Sequence, residues 1–220
     1  FAPPSCVACG EALLPAREVL CVGCRAALPW LAEPRCGRCG LPAHHAGATP
    51  VDCPARGAAF DRAWAPLAYE SSARALVTAV KFRGLTAALD AMAAQMLATA
   101  PGALVADRTL VPVPLHPARR RQRGFDQAQR LARALARRSG QPLIRCLRRR
   151  GEATRQLGAG RGQRLAAGRI EIAVRGRPPP RALLIDDVHT TGATLDACAV
   201  ALRDGGCESV NCLTYARALE

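Results

Sequence analysis

Hydrophobic and polar positions change period several times along the chain. Ala73, Leu76, Val77 and Val80 fall at helical spacing behind Ser71 or Ser72, either of which can cap the helix. Lys81-Phe82-Arg83-Gly84 then supplies cations and a glycine, as at a helix C-terminus. Leu89, Met92, Ala93, Met96 and Leu97 predict a second helix. Ala128, Leu131, Ala132, Leu135 and Ala136 predict a third over Gln127 to Arg138, closed by Gly140. Between these lie short apolar runs that predict strands: Ala63 to Tyr69, Thr109 to Val111, Leu143-Ile144, Ile170 to Val174, Leu183 to Ile185, and Val210 to Thr214. A helix to about Arg203 separates the last two. Arg119 to Gly124 reads as a basic loop, and Gly151 to Arg169 as a polar, glycine-rich connection. Strands alternating with helices predict an α/β fold with a mainly parallel sheet.

The first stretch does not share this periodicity. Residues 1–57 are rich in Cys, Gly and Pro, and 58–220 carry the periodic pattern, so a small metal-held region in front of one larger domain is expected. Of 11 cysteines, seven lie in the first 53 residues. Serial C-x-x-C pairs read as metal ligands rather than disulfides and imply a reducing, cytoplasmic setting. Cys6, Cys9, Cys21 and Cys24 fit a closed structural Zn2+ site. Cys36 and Cys39 need two more ligands. Cys53 is one candidate and His44 or His45 another, because Arg56 stands where a fourth Cys is expected. Pairing Cys6/Cys9 with Cys36/Cys39 is an alternative. Cys146, Cys198, Cys207 and Cys212 read as buried small hydrophobes.

Charge changes the picture next. The net charge is +14, and of 31 basic residues only Lys81 is a lysine. Such a surplus favours polyanion partners such as nucleic acid or a phosphorylated substrate, without choosing between them. No run of about 20 apolar residues is present, so no membrane span is expected. Phe1-Ala2-Pro3-Pro4 has no signal-peptide pattern, and without an initiator Met it leaves the natural N-terminus open.

The most specific segment is Leu183-Leu184-Ile185-Asp186-Asp187-Val188-His189-Thr190-Thr191-Gly192-Ala193-Thr194. An apolar strand ends in two acids where open α/β sheets bind ligands. Asp186 and Asp187 can accept hydrogen bonds from vicinal hydroxyls of a ribose. Thr190, Thr191, Gly192, Ala193 and Thr194 then open a helix whose free N–H groups suit a phosphate. No Ser/His/Asp constellation is visible, and His116 and His189 receive no catalytic role.

These residues resemble the type I phosphoribosyltransferases. The resemblance implies ribose contacts for Asp186 and Asp187 and 5-phosphate contacts for Thr190 to Thr194 of 5-phosphoribosyl-1-pyrophosphate (PRPP). A wider resemblance is carried by Lys81-Phe82-Arg83-Gly84, Val111-Pro112-Val113-Pro114-Leu115-His116, Arg119, Arg123-Gly124-Phe125-Asp126-Gln127-Ala128 and the Cys-rich start. In these the chain is similar to the ComF family, associated with natural competence. That family implies a type I phosphoribosyltransferase fold with a small N-terminal zinc-binding domain. Asp126 stands where the family usually has Asn. Gln156 and Arg164 fit a further family segment, but Ala167 lies near its expected Asn. The Val111 to His116 loop resembles the fold's pyrophosphate loop, which implies roles for Val113 and Pro114, with Arg119, Arg123 and Lys81 as cations and Mg2+ arriving with PRPP.

Two function classes follow. One is an enzyme, a phosphoribosyltransferase whose acceptor the sequence does not name. The other is a non-catalytic PRPP-binding accessory protein in DNA uptake, engaging single-stranded DNA and other competence proteins. Trp30, Phe60, Trp64 and Phe125 are the few aromatic platforms for bases.

Overall fold

The computed structural model describes residues 4–14, 18–46, 53–149 and 170–219. Four parallel positions build the central sheet. Strand β1 (Arg62–Trp64) and strand β2 (Leu67–Ala68) occupy one edge in succession, interrupted at Ala65-Pro66. Both pair with β7 (Ser209–Arg217), which pairs with β6 (Arg181–His189), which pairs with β3 (Thr109–Pro112) at the far edge. The expected Ala63 to Tyr69 strand is therefore two pieces, because Pro66 cannot donate to the ladder. Leu143 contributes only one bridge, to Leu110. The expected Ile170 to Val174 strand is Ile172–Val174 (β5). It pairs antiparallel with Leu147–Arg149 (β4), outside the main sheet.

Alternation sorts the two central strands onto two faces. Leu183, Ile185, Leu213 and Tyr215 pack with α4 (Thr86–Thr99), α7 (Gln127–Ser139) and α3 (Ser71–Arg83). Ala182, Leu184, Val210 and Cys212 pack with α8 (Ala193–Asp204) on the other side. The four later cysteines are buried free thiols in that second layer or at its rim. The parallel sheet covered by helices is the α/β arrangement expected from the pattern.

Helix ends differ from expectation at two places. Glu70, not a serine, is the N-cap of α3 and offers no capping hydrogen bond, while Ser71 adopts φ 43°. The Arg119 to Gly124 segment is helical: α6 spans Pro117–Arg123, with Pro at its start and Gly124 in the left-handed conformation at its end. His116 Nδ1 accepts from the Ala118 N–H at 3.2 Å, which gives that histidine a capping role.

The Cys-rich region is docked on the β1–β2 edge. Leu31 N–H donates to the Pro66 carbonyl (2.9 Å), Ala68 N–H to Pro29 (2.8 Å) and Ala63 N–H to Arg38 (2.7 Å). Arg35 lies over the Trp64 ring at 4.0 Å. Short helices α1 (Val22–Ala26) and α2 (Ala43–Ala46) lie in this region. Gly40 (φ 71°) lets its backbone approach β1, since a Cβ there would meet the Ala63 carbonyl oxygen at 2.5 Å. Gly40→Ala is therefore expected to destabilise the protein by more than about 1 kcal/mol, read as a lower midpoint in thermal or urea unfolding. An unchanged midpoint would contradict the close approach.

Candidate functional site

The site is set by where β3 stops. β6 pairs with β7 from Arg181 opposite Ser209 to His189 opposite Arg217, whereas its partnership with β3 ends at Pro112 opposite Ile185. One further bond, Val113 N–H to the Ile185 carbonyl (3.0 Å), closes that ladder. Beyond it the β3 chain turns away, and one flank of Asp186-Asp187-Val188 opens. The acids thus lie within a nine-residue strand rather than after a three-residue one.

A cavity of about 200 Å³ forms there. Its walls include Asp186, Asp187, Thr190 and Thr194 from β6 and its loop, Val113 and Pro114 from the loop after β3, Arg119 and Arg123 from α6, and Lys81 from the last turn of α3. Residues predicted from four separate segments line one space. Thr191, Gly192 and Ala193 do not. They face a second cavity, of about 240 Å³, on the Cys-rich side, so the loop is a wall between two spaces. Two further residues of the first cavity carried no assignment from sequence. Asp126 accepts from the Gln129 N–H (3.0 Å) as the N-cap of α7 and from the Leu115 N–H (3.3 Å). It ties the Pro114 loop to a helix start, and the Asp-x-x-Gln capping pattern was a signal for this. Arg149 arrives from β4, and nothing in its local sequence points there.

The electrostatics are unequal between the two acids. Asp187 is buried, with Lys81 Nζ 3.2 Å from its Oδ2. That oxygen receives no well-aligned hydrogen bond among the described residues, nor does Gln127 Oε1 in the same wall. Two buried acceptors without donors suit a hydroxyl-bearing ligand. Asp186 keeps part of its surface in the cavity. Burial of its carboxyl, then the charge of Asp187, push its pKa well above the usual carboxylate value; the Asp187 N–H and Lys81 oppose this.

At the far end of β6, His189 is buried beneath the loop. Arg217 Nη1 lies 2.6 Å from its Nδ1, a contact only a neutral imidazole can accept. Burial, then the Arg217 charge, lower its pKa to about 3. Gly192 (φ 82°) has no room for a side chain, because a Cβ would meet His189 Nε2 at 2.8 Å.

The cysteines form two groups. Cys6, Cys9, Cys21 and Cys24 bring their sulfurs within 4.8 Å of one another, and so do Cys36, Cys39 and Cys53. This resolves the pairing in favour of sequential knuckles. Tetrahedral zinc with bonds of about 2.3 Å separates its sulfurs by about 3.8 Å. Cys9 and Cys21 are 3.7 Å apart and Cys36 and Cys53 3.6 Å apart, so both groups fit the ion. Crowding drives the proton affinities of the first group's thiols apart. Burial is outweighed by the N–H groups of Cys21, Cys9 and Ala8, which lower Cys6 to about 6, whereas Cys9 and Cys21 push Cys24 up to about 12. His44 is exposed, 4.3 Å ring to ring from His45, and outside the second group. Among the described residues that group has three ligands.

Comparison with known proteins agrees with this division. Residues 1–55 match the double zinc ribbon domain. Competence protein ComFC of Bacillus subtilis (strain 168) is 30% identical over 93% of this chain and 87% of its own. The chain belongs to the ComF family. Competence protein F of Haemophilus influenzae is 28% identical, over 97% of this chain and 96% of its own. Among solved structures, the allosteric regulatory enzyme of purine biosynthesis overlaps 57% of this chain at 19% identity and a TM-score of 0.38, and the chain spans about a quarter (24%) of that protein. The ComF-family segments Lys81 to Gly84, Val111 to His116 and Arg123 to Ala128 all border the first cavity. Gln156, Arg164 and Ala167 lie outside the described residues. Among the described residues no helix is long and apolar enough to cross a membrane.

Because the raised Asp186 carboxyl favours its protonated form in the folded state, its contribution is favourable at low pH and lost as pH rises through the folded value. At neutral pH its charge is held at a cost. Asp186→Asn is therefore expected to raise Tm at pH 7–8, by roughly 2–4 °C per kcal/mol relieved. The gap to the parent should close on acidification. Scanning calorimetry of both proteins across pH checks this, and an equal or lower Tm at neutral pH contradicts it.

Proposed function

We propose that this protein binds PRPP with Mg2+ in the first cavity and belongs functionally with the phosphoribosyltransferases. The observation that carries the reading is the shared lining: two acids, Thr190 and Thr194 from the loop and helix start after them, and three cations from two helices face one space. Asp186 and Asp187 accept from the ribose hydroxyls. Thr190 and Thr194, with the N–H groups at the start of α8, hold the 5-phosphate, and Thr191 to Ala193 form the back of that loop. Lys81, Arg119 and Arg123, beside the Val113-Pro114 backbone, offset the pyrophosphate charge; Lys81 keeps donors beyond the one facing Asp187. Arg149 adds a fourth cation. Mg2+, held mainly by the ligand's own oxygens, would supply further charge neutralisation as pyrophosphate leaves. The bond broken is that between ribose C1 and the pyrophosphate oxygen, and an acceptor takes its place. The chain's task is to orient and neutralise.

A place in natural competence rests on the names of the two relatives, and thiolate clusters suit a reducing cytoplasm. A second reading, a PRPP-sensing accessory protein that binds single-stranded DNA, is favoured by one surface. Phe82 is 72% exposed, with the Arg123 guanidinium 5.4 Å from its ring centroid, beside Arg119, Arg120 and Arg121 on α6. An exposed ring among arginines is what a stacked base and its phosphates require.

Calorimetric titration should show PRPP binding that needs Mg2+ and is lost in Asp186→Ala/Asp187→Ala. Unchanged affinity in the double variant would sink the site assignment. Pyrophosphate release in the presence of one member of an acceptor panel decides for the enzyme. Oligonucleotide binding that weakens steeply with salt supports the second reading, whereas no binding at low salt removes it.

A further inference from the structure

Arg217 ends β7, far in sequence from the Cys-rich region, yet it is buried between that region and the loop. Its Nη1 donates to the Cys39 carbonyl at 2.9 Å and lies 2.6 Å from His189 Nδ1. Among the described residues it has no carboxylate partner. A buried guanidinium needs a counter-charge. The contact it makes with the Cys-rich region is the Cys39 carbonyl, on a residue of the Cys36/Cys39/Cys53 knuckle. A dication held by three thiolates carries one net negative charge, which one arginine balances.

The other end of the contact bears on the loop. His189 fills the space that a side chain at Gly192 would need, and Phe60 meets its ring edge-on at 6.2 Å. A second strut runs parallel: Ala59 N–H donates to Asp196 Oδ1 at 2.7 Å in the first turn of α8. Arg203, on the last turn of α8, reaches the Ala59 carbonyl at 2.6 Å. Ala59, just past the Cys-rich region, therefore ties both ends of the helix that opens with the phosphate loop.

We propose that Arg217 is a positioning residue that links the Cys36/Cys39/Cys53 knuckle to the phosphate loop through His189, so that metal in the knuckle presets the loop for PRPP. This rests on the PRPP reading above. With the knuckle filled, its charge and the Cys39 carbonyl fix the guanidinium. The guanidinium fixes the neutral imidazole, and the imidazole supports the left-handed turn at Gly192. An emptied knuckle frees Arg217, and the loop loses its backing.

The test is a double-mutant cycle in the full chain with Arg217→Met and Cys53→Ser. PRPP affinity is measured with Mg2+, zinc is counted per chain, and amide exchange is followed over residues 189–194. Each single variant should weaken PRPP about tenfold and speed exchange in the loop. The double should be no weaker than the weaker single, since both break one link. Effects that multiply, or an Arg217→Met protein with parental affinity and exchange, would overturn the proposal. If Cys53→Ser does not fold, zinc removal by a chelator from the parent and from Arg217→Met makes the same comparison: the parent should lose PRPP affinity and gain loop exchange while the variant changes no further, and equal losses in both would overturn the proposal. If the parent itself does not bind PRPP, the functional reading falls alone, and loop exchange in the same variants still decides the link.

Discussion

Two adjacent carboxylates on a covered strand set the terms for the rest of this protein. Asp186 and Asp187 lie beside each other on β6, and burial plus the charge of its neighbour make the Asp186 charge costly. Alternation sends them to opposite faces. Asp187 turns toward α3, whose last turn brings Lys81 within 3.2 Å. Both acids still border the one cavity, where α6 and β4 bring arginines. The premature end of β3 at Pro112 makes this tolerable, because it leaves one flank of the acids open to a ligand. Sheet register, helix ends and basic surface therefore answer a single electrostatic demand.

The sequence carried much of this. The β6 acids were legible from the local chemistry of their segment, and Lys81, the Pro114 loop, Arg119 and Arg123 from the resemblance of their segments to the ComF family. The helices α4 and α7 were legible from apolar spacing, and the sequential knuckles from C-x-x-C repetition. What was not legible depends on tertiary placement. Nothing local marks Arg149, which reaches the cavity from a separate two-stranded ribbon. The acids read as lying after a three-residue strand because periodicity cannot see that β7 pairs with β6 as far as His189. Pro117 at a helix start and the Glu70 cap of α3 were missed for the opposite reason: a run of arginines and a pair of serines gave strong local signals that the chain overrode.

The double zinc ribbon is more than an appendage. Its apolar residues Leu13, Val19, Leu20 and Leu28 join the same core as Leu213 and Tyr215, and Cys39 and Cys53 join the layer under α8. This Cys-rich region is fastened by its thiolates at one end and by the sheet edge at the other. Family membership accounts for the pairing of the two parts. The packing joins them: Arg217, Arg35 and Gly40 each touch both.

The chain's basic residues are almost uniform, and the single exception has a chemical consequence. Guanidinium groups stay cationic at any physiological pH and resist acylation, whereas an amine is acylated readily and loses its charge when that happens. Lys81 is the sole side-chain amine in this sequence, and it stands against Asp187 in the cavity wall. Of all the cations arranged around the acids, one alone can be silenced by acetylation. It is the one whose loss leaves a buried carboxylate without its partner.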